Sequence, residues 1–542
     1  MKMKKFSRCV MTLSMLSAFS APVYAAKIDA NAAAKHVEEA PLRAHLQFLS
    51  SDLLEGRGTG QRGGDLTVAY LEAQARAIGL LPIDGKTYRH PVKLAFSTLR
   101  QEESTLAFEA NGQKLPFKFT DDWVWSMGDA ATSHNFDSEL VFVGYGINAP
   151  DEHWDDYKGV DVRGKVLIMM VNDPQPTAQE PNRFGGESLT YYGRWTYKYE
   201  EAQRRGAAAV ILIHTDKSAS YQWSVAGNGG NKFLLESDHV GTPIQAWIRE
   251  NAARQLFQSA GLDLDQLRSS AESKNFTPVK MNVKLRGVAQ ADVRKITQYN
   301  VAGLIPGTDP KLKDELVIYS AHWDHLGMKQ GDGDVIYNGA VDNGSGSAAL
   351  LAMAKAAVKA PTKRSQLFLW VAAEEKGLIG SQAFIANSPW PIDKIAADLN
   401  LDSMNFVGRT TDIGIPGSQR TDLSVMATTV AHQMGLKVAP PVPDTGGGYF
   451  RSDHFSFAKA GVPAFTIRSG RAYVNDPSGS TEKAKAYAKR YHQVTDEYDP
   501  TWDLSGMVQQ AQFTLNLGHL IGNAHTKPAW KAGESFGKAG SD

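Results

Sequence analysis

Leu316-Val317-Ile318-Tyr319-Ser320-Ala321-His322-Trp323-Asp324-His325 decides the fold class: an apolar run of strand length breaks off into imidazole and carboxylate side chains. Working outward, similar runs at 366–372, 396–401 and 464–467 alternate with helix-period stripes at 345–359, 379–386, 423–434 and 505–521. Strands separated by helices mark βαβ units around a parallel sheet. From about residue 295 onward the expectation is therefore an α/β fold, a mixed, mostly parallel central sheet flanked by helices.

Ligands of such sheets bind outside the carboxyl ends of the strands. The residues there are His322 and Asp324 after the first strand, Glu374-Glu375 after the second and Asp402 after the third. Gly339-Ala340-Val341-Asp342-Asn343-Gly344-Ser345-Gly346 adds a carboxylate just ahead of a helix, and Tyr491-His492-Gln493 adds a late imidazole. Singly, each has a plain explanation: Asp342 as a helix cap, the glutamates as a solvated first turn, His492 as a surface residue. Together at successive strand ends they point elsewhere, because crowded carboxylates repel unless a cation neutralises them. Mixed imidazole and carboxylate donors suit zinc, and a bridging carboxylate suits a two-metal hydrolytic centre. Manganese and cobalt stay open, since geometry and availability select among these ions.

The chain has 542 residues, 42% hydrophobic and 21% charged, with 58 basic and 58 acidic side chains. That composition excludes a disordered or fibrous protein and leaves no basic excess for a nucleic-acid partner. Residues 1–25 read as a signal peptide: Lys2, Lys4, Lys5 and Arg8, an apolar stretch from Cys9 to Val23, and small residues fitting cleavage after Ala25. Export to the periplasm or the medium follows, with no stable membrane insertion afterwards. Cleavage leaves 54 basic against 58 acidic residues, a net charge of −4, and removes Cys9, the single cysteine. Stability must then come from packing or bound metal rather than from disulfides.

Residues 26–130 form the first part of the catalytic domain, 131–290 an inserted module, 291–525 the catalytic part and 526–542 a flexible Gly- and Lys-rich tail. Leu42, Leu46 and Leu49 recur at helical spacing before Gly58-Thr59-Gly60-Gln61-Arg62-Gly63, a formal GxGxxG. A dinucleotide site needs a strand ahead of that motif, so a helix connection is expected. Asn111-Gly112 between short apolar runs predicts a hairpin. Asp332-Gly333-Asp334 lacks the rest of a calcium loop and reads as a polar turn. Tyr449, Phe450 and Phe457 suit either a side-chain pocket or the core. Within the module, Val143-Gly144-Tyr145-Gly146-Ile147, Trp154-Asp155-Asp156-Tyr157, Gly164-Lys165-Val166 and Gly206 to Ile211 resemble a protease-associated domain, a β-rich recognition unit inserted into peptidases.

His322-x-Asp324, Asp342-Asn343-Gly344-Ser345-Gly346, Glu374-Glu375-Lys376-Gly377-Leu378-Ile379-Gly380-Ser381, Leu401-Asp402, Arg451-Ser452-Asp453-His454 and Tyr491-His492 as a set resemble the M28 family of zinc aminopeptidases. The resemblance spans nearly the whole chain after the signal and implies the zinc exopeptidase fold, an eight-stranded mixed sheet. It implies two zinc ions per chain: His322, Asp342 and Asp402 on one, Asp342, Glu375 and His492 on the other, Asp342 being the bridge. Glu374 would be the general base, with metal-bound hydroxide as nucleophile. Asp324 would orient His322, and Tyr491 would hydrogen-bond the oxyanion. His325, Ser452, Asp453 and His454 would support the site without binding metal. The substrates expected are peptides with a free N-terminus, whose ammonium suits an acidic cluster. A carboxypeptidase or dipeptidase of the same superfamily is the alternative, and would use arginines such as Arg468 or Arg471 on a free carboxylate. A glutaminyl cyclase and a receptor-like protein without metals are further alternatives.

Overall fold

A computed structural model describes residues 32–219, 221–226, 229–236, 241–476 and 480–538; the expected signal peptide and Cys9 lie outside them. Leu316–His322, Ser365–Val371 and Ile395–Leu401 are buried at every position, as apolar runs covered on both faces should be. Leu316–His322 lies between the other two, and Ala464–Ser469 adds beyond Ile395–Leu401, all four parallel. Antiparallel strands close both sides: Asp412–Gly414 beside Ala464–Ser469, and Val279–Ile305, Arg89–Leu99 and Lys232–Leu235 in turn beyond Ser365–Val371. The mixed, mostly parallel sheet flanked by helices is therefore present.

Ser345–Ala357 is buried almost all round and packs against Glu39–Leu49 and Ser505–Asn523. Its small residues allow close approach: a Cβ on Gly346 would run into the Asn343 side chain and the Leu401 carbonyl. Ile379–Ala386 and His454–Lys459 pack together. The Gly58–Gly63 segment joins the 3₁₀ turn Asp52–Arg57 to the helix Arg62–Ile78, so the glycine motif is a helix connection.

A second sheet has its own core. Ser133–Phe142, Val166–Met170, Ala209–His214 and Ile244–Arg249 run parallel, with Trp123–Met127 antiparallel at one edge. Phe108, Trp123 and Trp125 belong to this core, so the second unit starts ahead of residue 131. Asn111 and Gly112, with φ of 51° and 77°, turn the expected hairpin between Ala107–Ala110 and Gln113–Lys114. Conversely, Lys232–Leu235 lies in the module's sequence and pairs in the first sheet. Val279–Ile305 serves both sheets, pairing first with Ser133–Phe142 and then with Arg89–Leu99.

The described part of the tail is not free. Trp530 Nε1 donates to the Gly461 carbonyl at 2.8 Å, and Phe536 is buried against Tyr191, Phe455 and Trp530. Two aromatic anchors in a Gly- and Lys-rich stretch suffice to dock it. Asp332-Gly333-Asp334 is an exposed turn closed by Ile336 N–H on Asp334. No described helix is long and apolar enough to cross a membrane.

Candidate metal centre

The four parallel strands deliver the candidate ligands to one edge. His322 ends its strand; Glu374-Glu375 and Asp402 follow theirs; Asp342 sits in the turn 340–344 that opens the helix Ser345–Ala357. Gly339 makes that turn possible, with φ of 55° and no room for a Cβ against the Asp342 carbonyl and the His325 ring. His492 arrives from the turn after the helix Ser480–Ala488.

Asp342 stands between two imidazoles. Its Oδ1 lies 3.3 Å from His322 Nε2 and its Oδ2 3.3 Å from His492 Nε2. Asp402 Oδ1 is 3.7 Å from His322 Nε2, and Glu375 Oε2 is 3.1 Å from His492 Nε2. Glu374 Oε2 reaches within 4.0 Å of His322 Nε2. The structure thus brings together His322, Asp342, Glu374, Glu375, Asp402 and His492. His325 enters the same cluster, its Nδ1 2.8 Å from Glu375 Oε1, so a second imidazole could serve the Glu375 half-site. His492 Nε2 faces both Asp342 and Glu375, and His325 is within reach of the same two carboxylates. Nitrogen and oxygen donors converging on two points joined by one carboxylate form a donor set that zinc accepts.

Asp324 touches more than His322. The nearer acceptor for His322 Nδ1 is the Asp324 backbone carbonyl at 3.1 Å, while the carboxylate lies 3.8 Å away. That carboxylate receives the Glu374 N–H and the Thr59 hydroxyl, each at 3.0 Å. Asp324 thus contacts both His322 and the Glu374 backbone. Tyr491 stacks on His492 with ring centroids 4.0 Å apart and is 49% exposed. Tyr449, Phe450 and Phe457 are core residues.

Three further residues support the site without carrying a metal-ligand signal of their own. Asp496 accepts the backbone N–H groups of Val341 and Asp342 at 3.0–3.2 Å. Arg57, 1% exposed, donates to the carbonyls of Leu49, Asn338, Gly339 and Trp323 at 2.5–2.8 Å. Asn343 ties the turn to the Leu401 carbonyl at 3.0 Å. Asn343 stands within the stretch 342–346, whereas no motif marks Asp496 or Arg57.

The electrostatics divide the carboxylates. Burial, joined by Glu375, Asp402 and Asp453, pushes Glu374 well above the usual carboxyl range despite His322. Burial would also raise Glu375, but hydrogen bonds from His325 and His492 take it well below that range. In Asp402 burial is likewise outweighed, chiefly by His322. Burial opposes protonation of His322 and His492, yet their acidic partners hold His322 well above 6.5 and His492 at about 10. Beneath them, burial lifts Asp453 to about 7 and, with Arg468, lowers His454 to about 3. Ser452 accepts from Asn400 Nδ2 at 2.7 Å.

Among known proteins, Leucine aminopeptidase 1 of Trichophyton equinum is 25% identical over 314 residues, 53% of this chain and 82% of that protein. Leucine aminopeptidase 1 of Arthroderma otae is 27% identical over 342 residues, 59% of this chain and 90% of that protein. The solved structure of an aminopeptidase from Aneurinibacillus sp. strain AM-1 shares the fold, with a TM-score of 0.50 at 19% identity over 93% of this chain and 100% of that one. Residues 300–515, which contain His322, Asp342, Glu374, Glu375, Asp402 and His492, match the model of peptidase family M28.

Proposed function

We propose that the chain is an exported, zinc-dependent aminopeptidase that removes N-terminal residues from peptides. The observation that carries this reading is Asp342, one carboxylate set between His322 and His492 with Glu374 beside it. His322, Asp342 and Asp402 would hold one ion; Asp342, Glu375 and His492 would hold the other. Two bound zinc ions would lower the pKa of water to about 7 and polarise the scissile carbonyl.

The remaining work falls to the chain. Glu374, raised by burial and acidic neighbours, takes the proton of the attacking water and passes it to the leaving amine. Asp324 fixes the Glu374 backbone through the N–H it accepts. The Tyr491 hydroxyl donates to the oxygen that gains charge at the scissile carbon. Carboxylates left unneutralised attract the substrate's free ammonium. Residues 1–25 act as the export signal, and the second sheet is a protease-associated domain.

The test is metal content by mass spectrometry on the purified protein, with amine release from aminoacyl anilides before and after chelation. Two zinc ions and chelator-sensitive cleavage of unblocked substrates are expected. Two ions without cleavage would overturn the aminopeptidase reading.

A further inference from the structure

The seam between the second sheet's unit and the catalytic body holds two guanidinium groups that meet on one carbonyl. Arg194 caps the helix Trp195–Arg204 and is 7% exposed. Among the described residues its guanidinium makes a single hydrogen bond, from Nη1 to the Gly446 carbonyl at 3.4 Å, and its Nε has no partner. Arg451, from the catalytic body, sets Nε and Nη2 on the same carbonyl at 3.1 and 2.9 Å and is otherwise exposed. Asp444, the acidic residue of this loop, uses its oxygens on the Gly448 and Tyr449 amides at 2.7 and 2.9 Å.

Two cations sharing one neutral acceptor, one of them buried, is a costly arrangement that Asp444, acting on Arg194 only at a distance, offsets in part. Burial and then Arg451 lower Arg194 to about 10, and Tyr221 senses both guanidinium groups. Along the chain, Arg451 directly precedes Ser452, whose hydroxyl helps hold down Asp402.

We propose that Arg194 and Arg451 form a carboxylate-binding subsite at this seam, which holds a negatively charged group of the peptide substrate. The peptide substrate rests on the aminopeptidase reading above. Guanidinium forks match carboxylates in shape and charge. The carboxylate comes either from the C-terminus of a short peptide or from an acidic side chain.

The experiment is titration calorimetry on the zinc-loaded full chain with three acetyl-capped probes, which lack the free amine that cleavage needs. They are acetyl-Ala-Ala as free acid, the same peptide as amide, and acetyl-Asp-Ala amide. At least one carboxylate probe is expected to bind about tenfold tighter than the uncharged amide; the free acid marks the C-terminal source and the Asp probe the side-chain source. Arg451→Gln, at an exposed position, is expected to abolish that preference, and Arg194→Gln to do the same if it folds. Equal binding of all three, no binding of any, or a preference that survives Arg451→Gln overturns the subsite. Failure to cleave unblocked peptides would instead count against the aminopeptidase reading and leave this binding comparison intact.

Discussion

Zinc loading should expel protons. In the metal-free protein the acidic partners of these imidazoles raise His322 well above 6.5 and His492 to about 10, so His492 carries charge at pH 7.5 and His322 is driven the same way. Zinc binds neutral imidazole. Filling both half-sites therefore displaces at least the His492 proton, and the overall loading constant should change about tenfold or more per pH unit, or ~1.4 kcal/mol. Calorimetric titration of zinc into the apoprotein at pH 7.5, in phosphate and in Tris, reads the number directly from the difference in buffer ionisation heat. The linkage has a second face. Imidazoles raised in the folded state stabilise the metal-free fold fully below pH 6.5, and that contribution fades as pH climbs through the folded values. Apoprotein should melt lower at pH 9 than at pH 6.5. A proton count near zero, with an apoprotein melting point that rises with pH, would refute the assignment of His322 and His492 to an acid-lined centre.

Glu374→Gln should retain two zinc ions by mass spectrometry while kcat falls about 10²–10⁴-fold; wild-type turnover would remove it from the chemistry. Asp342→Ala deprives both half-sites at once and should leave less than one ion per chain, whereas a variant that still binds two would show that Asp342 is no bridge. Arg57→Met orphans four buried carbonyls, at ~1 kcal/mol or more each, a loss of roughly 4 kcal/mol. Thermal melting should register this as a clear drop, and an unchanged midpoint would mean that water or a neighbour replaces the guanidinium.

The catalytic half was readable because its signals are local. Leu316–His322 and Ser345–Ala357 each carry their period within one segment, and a ligand at a strand end is found by counting from the run that precedes it. The supporting residues are different. Asp496 reaches Asp342 across 154 positions, and Arg57 reaches Gly339 across 282, so no spacing announces them. The displaced module boundary has a related cause: Phe108 and Trp123 look like any apolar strand residues, and only packing tells which of two cores they join. Arg468 and Arg471 follow an apolar run and are the arginines the sequence offers to a carboxylate, while Arg194 lies in an aromatic-rich stretch of the module with no motif around it. The tail misled because its composition suits a linker, yet Trp530 and Phe536 are enough to seat it.

Val279–Ile305 has a mechanical consequence. A through-running ladder strand acts as a beam shared by two bodies, so the second unit cannot swing on a slack tether as an appended domain would. Any rocking has to flex this beam, near Gly287 at φ 120°, or tear hydrogen bonds from one sheet or the other. The unit also cannot be cut away cleanly: excision of 131–290 would remove the partner of Ser133–Phe142 together with that strand and would leave the catalytic sheet's own segment of the beam, 291–305, dangling from a new chain junction.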